Sequence, residues 1–404
     1  MELRLDPAKW RKRRGIRRLL DALGASEGLT RYVGGAVRDD LLRLPVNDVD
    51  LATRLQPRDV VERLEAAKIK AVPTGIDHGT VTAVSDGHPY EVTTLRRDVS
   101  TDGRRATVAF TDDWKADAAR RDFTINALSA DPRTGEIFDY FGGLNDLDRG
   151  HIRFIGDPLQ RIAEDHLRIL RFFRFHARFG CGEPDSAALE ACTRRANDLM
   201  ALSRERIADE LLKLLAVADP SPTVAIMLER GILRPVLPEI GLDGLGSLTA
   251  LIASERDSRM EPDALRRLSA LLPRETAVAE DVSSRLRLSN KARKRVACAA
   301  GMQLFSSSEA LAYRVGVECA VDRLLIAGKA EDALTIAKWK PPKLPISGGT
   351  LIARGLQEGP IVARTLRSIE DRWIESGFPK GPEFDRIVAE ALEQAKAGHG
   401  GQTN

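Results

Sequence analysis

The sequence is short of several features that would settle a class at once. It has no run of about 18 apolar residues, which excludes a membrane-spanning helix. Only 4 cysteines occur in 404 residues, Cys181, Cys192, Cys298 and Cys319, and none makes a CxxC pair. That spacing speaks against a zinc site or a disulfide framework. The four thiols are expected to be reduced and structural, in a cytoplasmic protein. The N-terminal segment is basic but lacks an apolar block followed by small residues, which argues against secretion. Neither charge dominates: 62 Lys and Arg face 59 Asp and Glu, a net of +3, which is no global sign of a nucleic-acid partner. No fixed-period repeat and no low-complexity tract is visible.

What the chain does have is length and core-forming residues. At about 150 residues per domain, 404 residues suggest two or three domains. A composition of 43% hydrophobic and 30% charged residues builds cores and is not that of a disordered polymer. Charge is uneven locally. Lys9 to Arg18 holds seven basic residues and no acid, and Lys291 to Arg295 is a second basic cluster. A solvated helix face explains each of them as well as phosphate contact does.

Patterning changes near residue 150. Before it, Thr30 to Val33, Asp48 to Leu51, Gly79 to Val84 and Tyr90 to Leu95 read as short strands. Between them, Ala36 to Leu42 and Pro57 to Ala67 read as helices, the second with proline in its first turn. After it, helical spacing dominates, over Leu167 to Phe179, Glu205 to Ala218, Pro262 to Leu271 and Val362 to Ser376. Asp219 to Pro222, Lys340 to Lys343 and Pro345 to Gly349 punctuate the helical part, and Gly398 to Asn404 reads as frayed. The fold class is therefore α+β: a small mixed head followed by a long helical body. The expected divisions are 1–149, 150–219, 220–340 and 341–404.

Several short segments carry chemistry. Gly34 and Gly35 end a strand and open a helix, where backbone N–H groups can approach a phosphate and Arg38 can add a forked donor. A plain turn is the competing reading. Asp48 and Asp50, two apart on a strand, project to one face. Two such carboxylates repel unless a cation lies between them, and magnesium suits hard oxygen ligands. Glu91 becomes a third carboxylate if its strand pairs beside that of Asp48. Three carboxylates can hold metal ions for in-line phosphoryl transfer. Asp122 and Asn126 share a face if Arg120 to Leu128 is helical. Asp165, Arg168, Arg171 and, more loosely, Arg174 would line one side of a helix, where a bland ion pair is worth under about 1 kcal/mol.

Taken in order, these segments are far more specific than any one of them. Gly-Gly-x-x-Arg-Asp, then Asp-x-Asp-Leu-Ala-Thr, then a carboxylate strand resembles the polymerase-beta-type nucleotidyltransferases. Arg120-Arg121-Asp122-Phe123-Thr124-Ile125-Asn126 is similar to motif B of the class II CCA-adding enzymes and the related bacterial poly(A) polymerases. Glu164-Asp165-x-x-Arg168 with Arg171 and Arg174 resembles motif D, Thr101 to Asp113 the flexible motif C loop, and Leu202 to Glu210 the structural motif E helix. Ile346 to Pro360 with Trp373 looks like the tail of bacterial CCA-adding enzymes.

The resemblance implies a nucleotidyltransferase head with a mixed sheet, then a helical neck, body and RNA-binding tail. It implies transfer of C, C and A from CTP and ATP to the 3′ end of tRNA, with release of pyrophosphate and with Mg2+ as cofactor. Asp48, Asp50 and Glu91 would be catalytic, the two aspartates holding metal. Gly34, Gly35, Arg38, Arg121, Asp122, Asn126, Asp165, Arg168, Arg171 and Arg174 would bind nucleotide. Cytosine and adenine both place an exocyclic amine beside a ring-nitrogen acceptor. A carboxylate at Asp165 with a guanidinium at Arg168 would accept both and reject uracil and guanine. Alternatives are poly(A) polymerase, a CC-only or A-only enzyme, and a noncatalytic RNA-binding protein. The resemblance implies that a bacterial poly(A) polymerase would carry a basic Gly-Arg-Arg-Phe-like segment between the Asp-x-Asp strand and the third carboxylate. The interval Gly75 to Val81 has no arginine pair, which favours CCA addition, and no His-Asp dipeptide suggests an appended phosphohydrolase. No DNA or membrane partner is expected.

Overall fold

The structure is a computed structural model and describes residues 4–5, 10–101, 106–303 and 305–399. It divides into two compact units, Met1–Pro238 and Glu239–Asn404.

The first unit is built on a sheet. Its strands are β1 (Thr30–Val33), β2 (Asp50–Thr53), β3 (Lys70–Gly75), β4 (Thr80–Ser85), β5 (His88–Thr94), β8 (Ser129–Ala130) and β9 (Ile137–Phe138), with β6 (Arg96–Thr101) and β7 (Ala106–Phe110) forming a separate hairpin. The sheet has 7 strands in the order β3-β4-β5-β2-β1-β8-β9. It is mixed: β2 and β5 run parallel, and every other neighbouring pair is antiparallel. Alternation explains it. Val81, Ala83 and Ser85 on β4 and Tyr90, Val92 and Thr94 on β5 turn inward, while Glu91 turns out. The flanks of the expected motif C loop pair as β6 and β7; Asp102 to Arg105, at its centre, lie outside the described residues.

The basic N-terminal run has a plain explanation where it is described. Arg13 precedes the helix Arg14–Ala22; Arg14, Arg17 and Arg18 stand on its exposed side, opposite buried Ile16, Leu19 and Leu20. Gly15 lets that helix press against the sheet, for a Cβ there would lie 2.9 Å from the Ser85 carbonyl oxygen. Helices Pro158–Glu164, Arg168–Phe179 and Arg204–Leu215 complete the working part of this unit. Phe172 and Phe173 are fully buried, and Phe172 packs with Phe123, Phe154 and Phe173.

The second unit is helical over its described residues. Trp373, Ile369, Leu351 and Val388 form one core, with the Trp373 indole donating to the Pro379 carbonyl at 3.0 Å. Charge is buried as well: Arg266 and Arg267 both reach Glu255, and Arg266 and Arg295 both reach Asp322. Arg295, from the second basic cluster, is thus tied into the fold. One expectation is overturned here. Cys298 and Cys319 are joined in a disulfide across 21 residues of sequence, linking helices Asn290–Ala299 and Val317–Ile326. Spacing along the chain conceals this, because helix packing alone brings the two Cα atoms to 6.1 Å. Cys181 and Cys192 are free. Among the described residues no helix is long and apolar enough to cross a membrane.

Candidate active site

The carboxylates meet at the centre of the sheet. Parallel pairing of β2 with β5 sets Asp50 directly opposite Glu91. Strand β2 begins only at Asp50, so Asp48 stands in the irregular segment just before it, and buried Val49 separates two exposed aspartates. The Asp50 carboxyl is held above the usual carboxylate range, first because protein displaces water around it and then because Glu91 and Asp48 stand beside it; Arg121 opposes the shift. Among the described residues no three His, Cys, Asp or Glu side chains form a group able to hold a metal ion by themselves. Two neighbouring carboxylates, one reluctant to ionise, still fit a hard divalent cation that takes its remaining ligands from substrate phosphates and water.

Beside Asp50, the turn from β1 into the helix Gly35–Leu41 forms one wall of a cleft of about 420 Å³. Gly34 has φ of +65°, and a Cβ there would lie 2.9 Å from an Arg121 guanidinium nitrogen. Glycine is required twice over, for the left-handed backbone and for the close approach of Arg121. Burial holds the Arg121 guanidinium below its ordinary pKa, against the attraction of Asp117 and Asp50.

Asp122 organises the floor. Arg120 to Leu128 is not the expected α-helix: the preceding helix ends at Ala119, and only Thr124–Asn126 makes a short 3-10 turn. Asp122 and Asn126 nevertheless meet, the Asn126 amide donating to Asp122 at 2.9 Å. Asp122 also accepts from the Phe123 N–H at 2.8 Å and from Arg171 at 2.8 and 2.5 Å. Burial alone would raise the Asp122 pKa, but Arg171, Asn126 and the Phe123 N–H together hold it below the ordinary value. Arg38 donates to the Asn126 side-chain oxygen at 2.5 Å and to Asp39 at 2.8 Å, with its guanidinium over the Phe179 ring. A continuous chain of bonds thus runs Arg38–Asn126–Asp122–Arg171.

The opposite wall differs from a single helical face. Asp165 ends the helix Pro158–Glu164 in extended conformation, and the next helix begins at Arg168. Asp165 and Arg168 therefore do not form the simple ion pair that helical spacing allows. Asp165 accepts from Arg206 at 2.9 and 3.1 Å, while Arg168 donates to Glu164 at 2.5 Å and to the Arg161 carbonyl at 2.7 Å. Both still line the cleft, together with Arg171, Arg206 and Phe175. Arg174 does not line it: it donates at 2.6 Å to buried Glu210 and braces the helix Arg204–Leu215. The sequence reading missed Arg206, whose partner lies 41 residues away. It also missed Arg161, which donates to the Arg120 and Arg121 carbonyls at 2.5 Å and fixes the backbone beneath Arg121. A charged residue at Arg206 inside the motif E segment was the one visible signal.

Chemically, the cleft offers backbone donors at a glycine turn, a lining of guanidiniums and three carboxylates, Asp50, Asp122 and Asp165; Asp48 and Glu91 stand beside Asp50 and are not part of the lining. That distribution suits a polyphosphate attached to a base-like group.

Known proteins agree in kind. Residues 30–153 match the family model described as the poly A polymerase head domain, and residues 183–242 one described as a probable RNA and SrmB-binding site of polymerase A. The mitochondrial CCA tRNA nucleotidyltransferase 1 of Mus musculus is 34% identical over 391 residues, covering 90% of this chain and 87% of the relative. The CCA-adding enzyme of Limosilactobacillus fermentum is 31% identical over 422 residues, covering 98% and 100%. The crystal structure of the Bacillus stearothermophilus CCA-adding enzyme in complex with CTP superposes with a TM-score of 0.69 at 25% identity, over 96% of this chain and 99% of that one. With an α+β head, a carboxylate-and-arginine cleft and full-length relatives of one activity, the chain belongs to the CCA-adding tRNA nucleotidyltransferase family.

Proposed function

We propose that the cleft adds C, C and A in turn to the 3′ end of tRNA and that its residues divide the work as follows. The RNA 3′ oxygen attacks the α-phosphorus of CTP or ATP. A new P–O bond forms, the bond to the β-phosphate breaks, and pyrophosphate leaves. The observation that carries this reading is the convergence of Asp50, Gly34, Arg38, Arg121, Asp165, Arg168 and Arg171 on one cleft.

Polymerase-beta-type nucleotidyltransferases use divalent metal. Asp48 and Asp50 would hold it, with Glu91 beside them, and Mg2+ is the ion we assign. Such an ion would make the RNA 3′ hydroxyl more acidic and offset charge on the leaving pyrophosphate. The Gly34–Gly35 turn lets the nucleotide phosphates approach the backbone, and Arg38 and Arg121 stabilise their charge. Asp122 holds Arg171 in place while Asn126 holds Arg38, so the floor keeps both guanidiniums pointed at the ligand.

Asp165 and Arg168 read the base. Asp165 accepts from the exocyclic amine of cytosine or adenine, and Arg168 donates to the adjacent ring nitrogen. Arg206 donates to Asp165 from behind and fixes its direction, which favours it as a reader over a freely rotating carboxylate. The rest of the chain supplies a helical neck, body and tail, which we assign to 150–219, 220–340 and 341–404 behind a head of 1–149. We assign the protein to the cytoplasm. The Cys298–Cys319 bond then has to persist in a reducing compartment, where disulfides are rare.

The test is incubation of the purified protein with tRNA lacking its 3′ CCA, with each nucleotide alone and with CTP and ATP together. Three added nucleotides are expected from the pair, and one from ATP on a tRNA ending in CC. A long adenylate ladder would move the protein to poly(A) synthesis. A stall after CC, or no use of the shortest tRNA, would mark a partial enzyme. No incorporation at all would leave a binding protein.

A further inference from the structure

The second unit contains a cavity of about 550 Å³ unlike the nucleotide cleft. Its wall carries Arg274, Arg323, Lys329 and the serines 306–308, with Asp332 at one side. Among the described residues, two guanidiniums in it meet no carboxylate. Arg274 has its Nε buried without any hydrogen-bond partner. Burial lowers its pKa, and no carboxylate acts against that. Arg323 is 8% exposed, donates to the Gln303 carbonyl at 2.5 Å and lies over the Phe305 ring. Its pKa is lowered by burial and then by Arg274 itself, so the two cations repel each other. Among the described residues of the wall the one carboxylate, Asp332, accepts from Ser308 at 2.8 Å.

This contrasts with the rest of the unit. There, buried arginines are neutralised: Arg266, Arg267 and Arg295 each meet Glu255 or Asp322. Arg323 is buried and Arg274 partly so, both line one cavity, and neither is paired with a carboxylate among the described residues, which is where an anion would compensate them. The anion has to suit forked planar donors, an ammonium and hydroxyls around one cavity. A tetrahedral phosphate oxyanion fits that set, because several oxygens can be served at once from different sides.

We propose that the Arg274–Arg323 cavity binds a phosphate group, and that its occupant is a backbone phosphate of the RNA substrate. This rests on the reading of the chain as a tRNA-using enzyme. It adds an RNA anchor in the second unit that is separate from the nucleotide cleft. The phosphate relieves the repulsion between the two guanidiniums, and Lys329 adds charge at the rim. Ser307 accepts from the Ala310 N–H at 3.0 Å, which leaves its own O–H, like that of Ser306, able to donate to an anion.

Arg274→Ala in the full chain tests it. The Kd for tRNA lacking its 3′ CCA should rise by roughly tenfold at moderate salt, as for loss of a charged hydrogen bond. The slope of log K against log salt should become shallower by about one, the signature of one lost phosphate contact. The KM for tRNA should rise by a similar factor while kcat holds. The thermal midpoint should stay level or rise, because the variant removes a repulsion and breaks no bond. Arg274→Lys should restore most of the affinity. A second arm measures the thermal shift produced by inorganic phosphate. If Arg274→Ala abolishes that shift but leaves the tRNA slope unchanged, the cavity takes free phosphate and the RNA assignment is overturned. Unchanged affinity and slope, or a fall in thermal midpoint that accounts for weakened binding, also overturns it. Absence of CTP incorporation by the wild-type protein would instead refute the activity on which the proposal rests, whatever the slope shows.

Discussion

Replacing Asp122 by Asn should both destabilise the protein and disturb nucleotide binding. Asp122 is 8% exposed and accepts from Arg171 at 2.8 and 2.5 Å, from Asn126 at 2.9 Å and from the Phe123 N–H at 2.8 Å. The amide turns an N–H toward donors on one side, so Arg171 or Asn126 loses its acceptor. Removing one partner of a buried ion pair costs about 3–5 kcal/mol. Glu210 stands 3.8 Å from Arg171 and takes up part of the orphaned charge, so we expect the lower end, about 3 kcal/mol. Urea unfolding measures this as a lowered midpoint at constant m. The loss should also depend on pH. The folded pKa of Asp122 lies below its ordinary value of 3.8, so its contribution is complete above about 4 and disappears as pH falls through the folded value. The gap between wild type and Asp122→Asn should therefore close at low pH. Adding Arg171→Gln should recover part of the loss, with a coupling of roughly 1 kcal/mol or more. A penalty under about 1 kcal/mol at neutral pH, or one that stays constant into acid, would refute the account of the cleft floor.

Other outcomes follow from the same geometry. Asp50→Asn or Asp48→Asn should lower nucleotide incorporation by about a thousandfold while tRNA binding in a filter assay stays near wild type, because metal-held charge stabilisation is what is lost. Asp165→Ala should cost about 1–3 kcal/mol of discrimination between CTP or ATP and UTP or GTP in single-nucleotide competition. Arg206→Ala should act in the same direction more weakly, and an Asp165 variant with intact preference would defeat the base-reading role. Reduction of the Cys298–Cys319 bond, which spans 21 residues, should lower stability by about 3 kcal/mol. Urea titrations with and without dithiothreitol that coincide would show that the bond contributes nothing.

What the sequence determined by itself is local chemistry and order along the chain. Alternation around Val81, Tyr90 and Val92 was enough to identify strands, and helical spacing enough to identify Arg168–Phe179, because each pattern records which side of an element meets a core. The order of glycine turn, paired aspartates, third carboxylate and arginine segments pointed to nucleotidyl transfer. Tertiary structure decided who meets whom. Asp50 lies opposite Glu91 because β2 and β5 pair in parallel, a register no single strand contains. Asp165 faces Arg206 and not Arg168 because the chain breaks its helix between Glu164 and Arg168, and Arg174 is turned away to Glu210 by the neighbouring helix. Cys298 and Cys319 look unrelated in sequence and are joined because two helices pack with their Cα atoms 6.1 Å apart. Arg274 and Arg323, 49 residues apart, acquire meaning only as neighbours, since repulsion between like charges and the anion that relieves it are properties of distance in space.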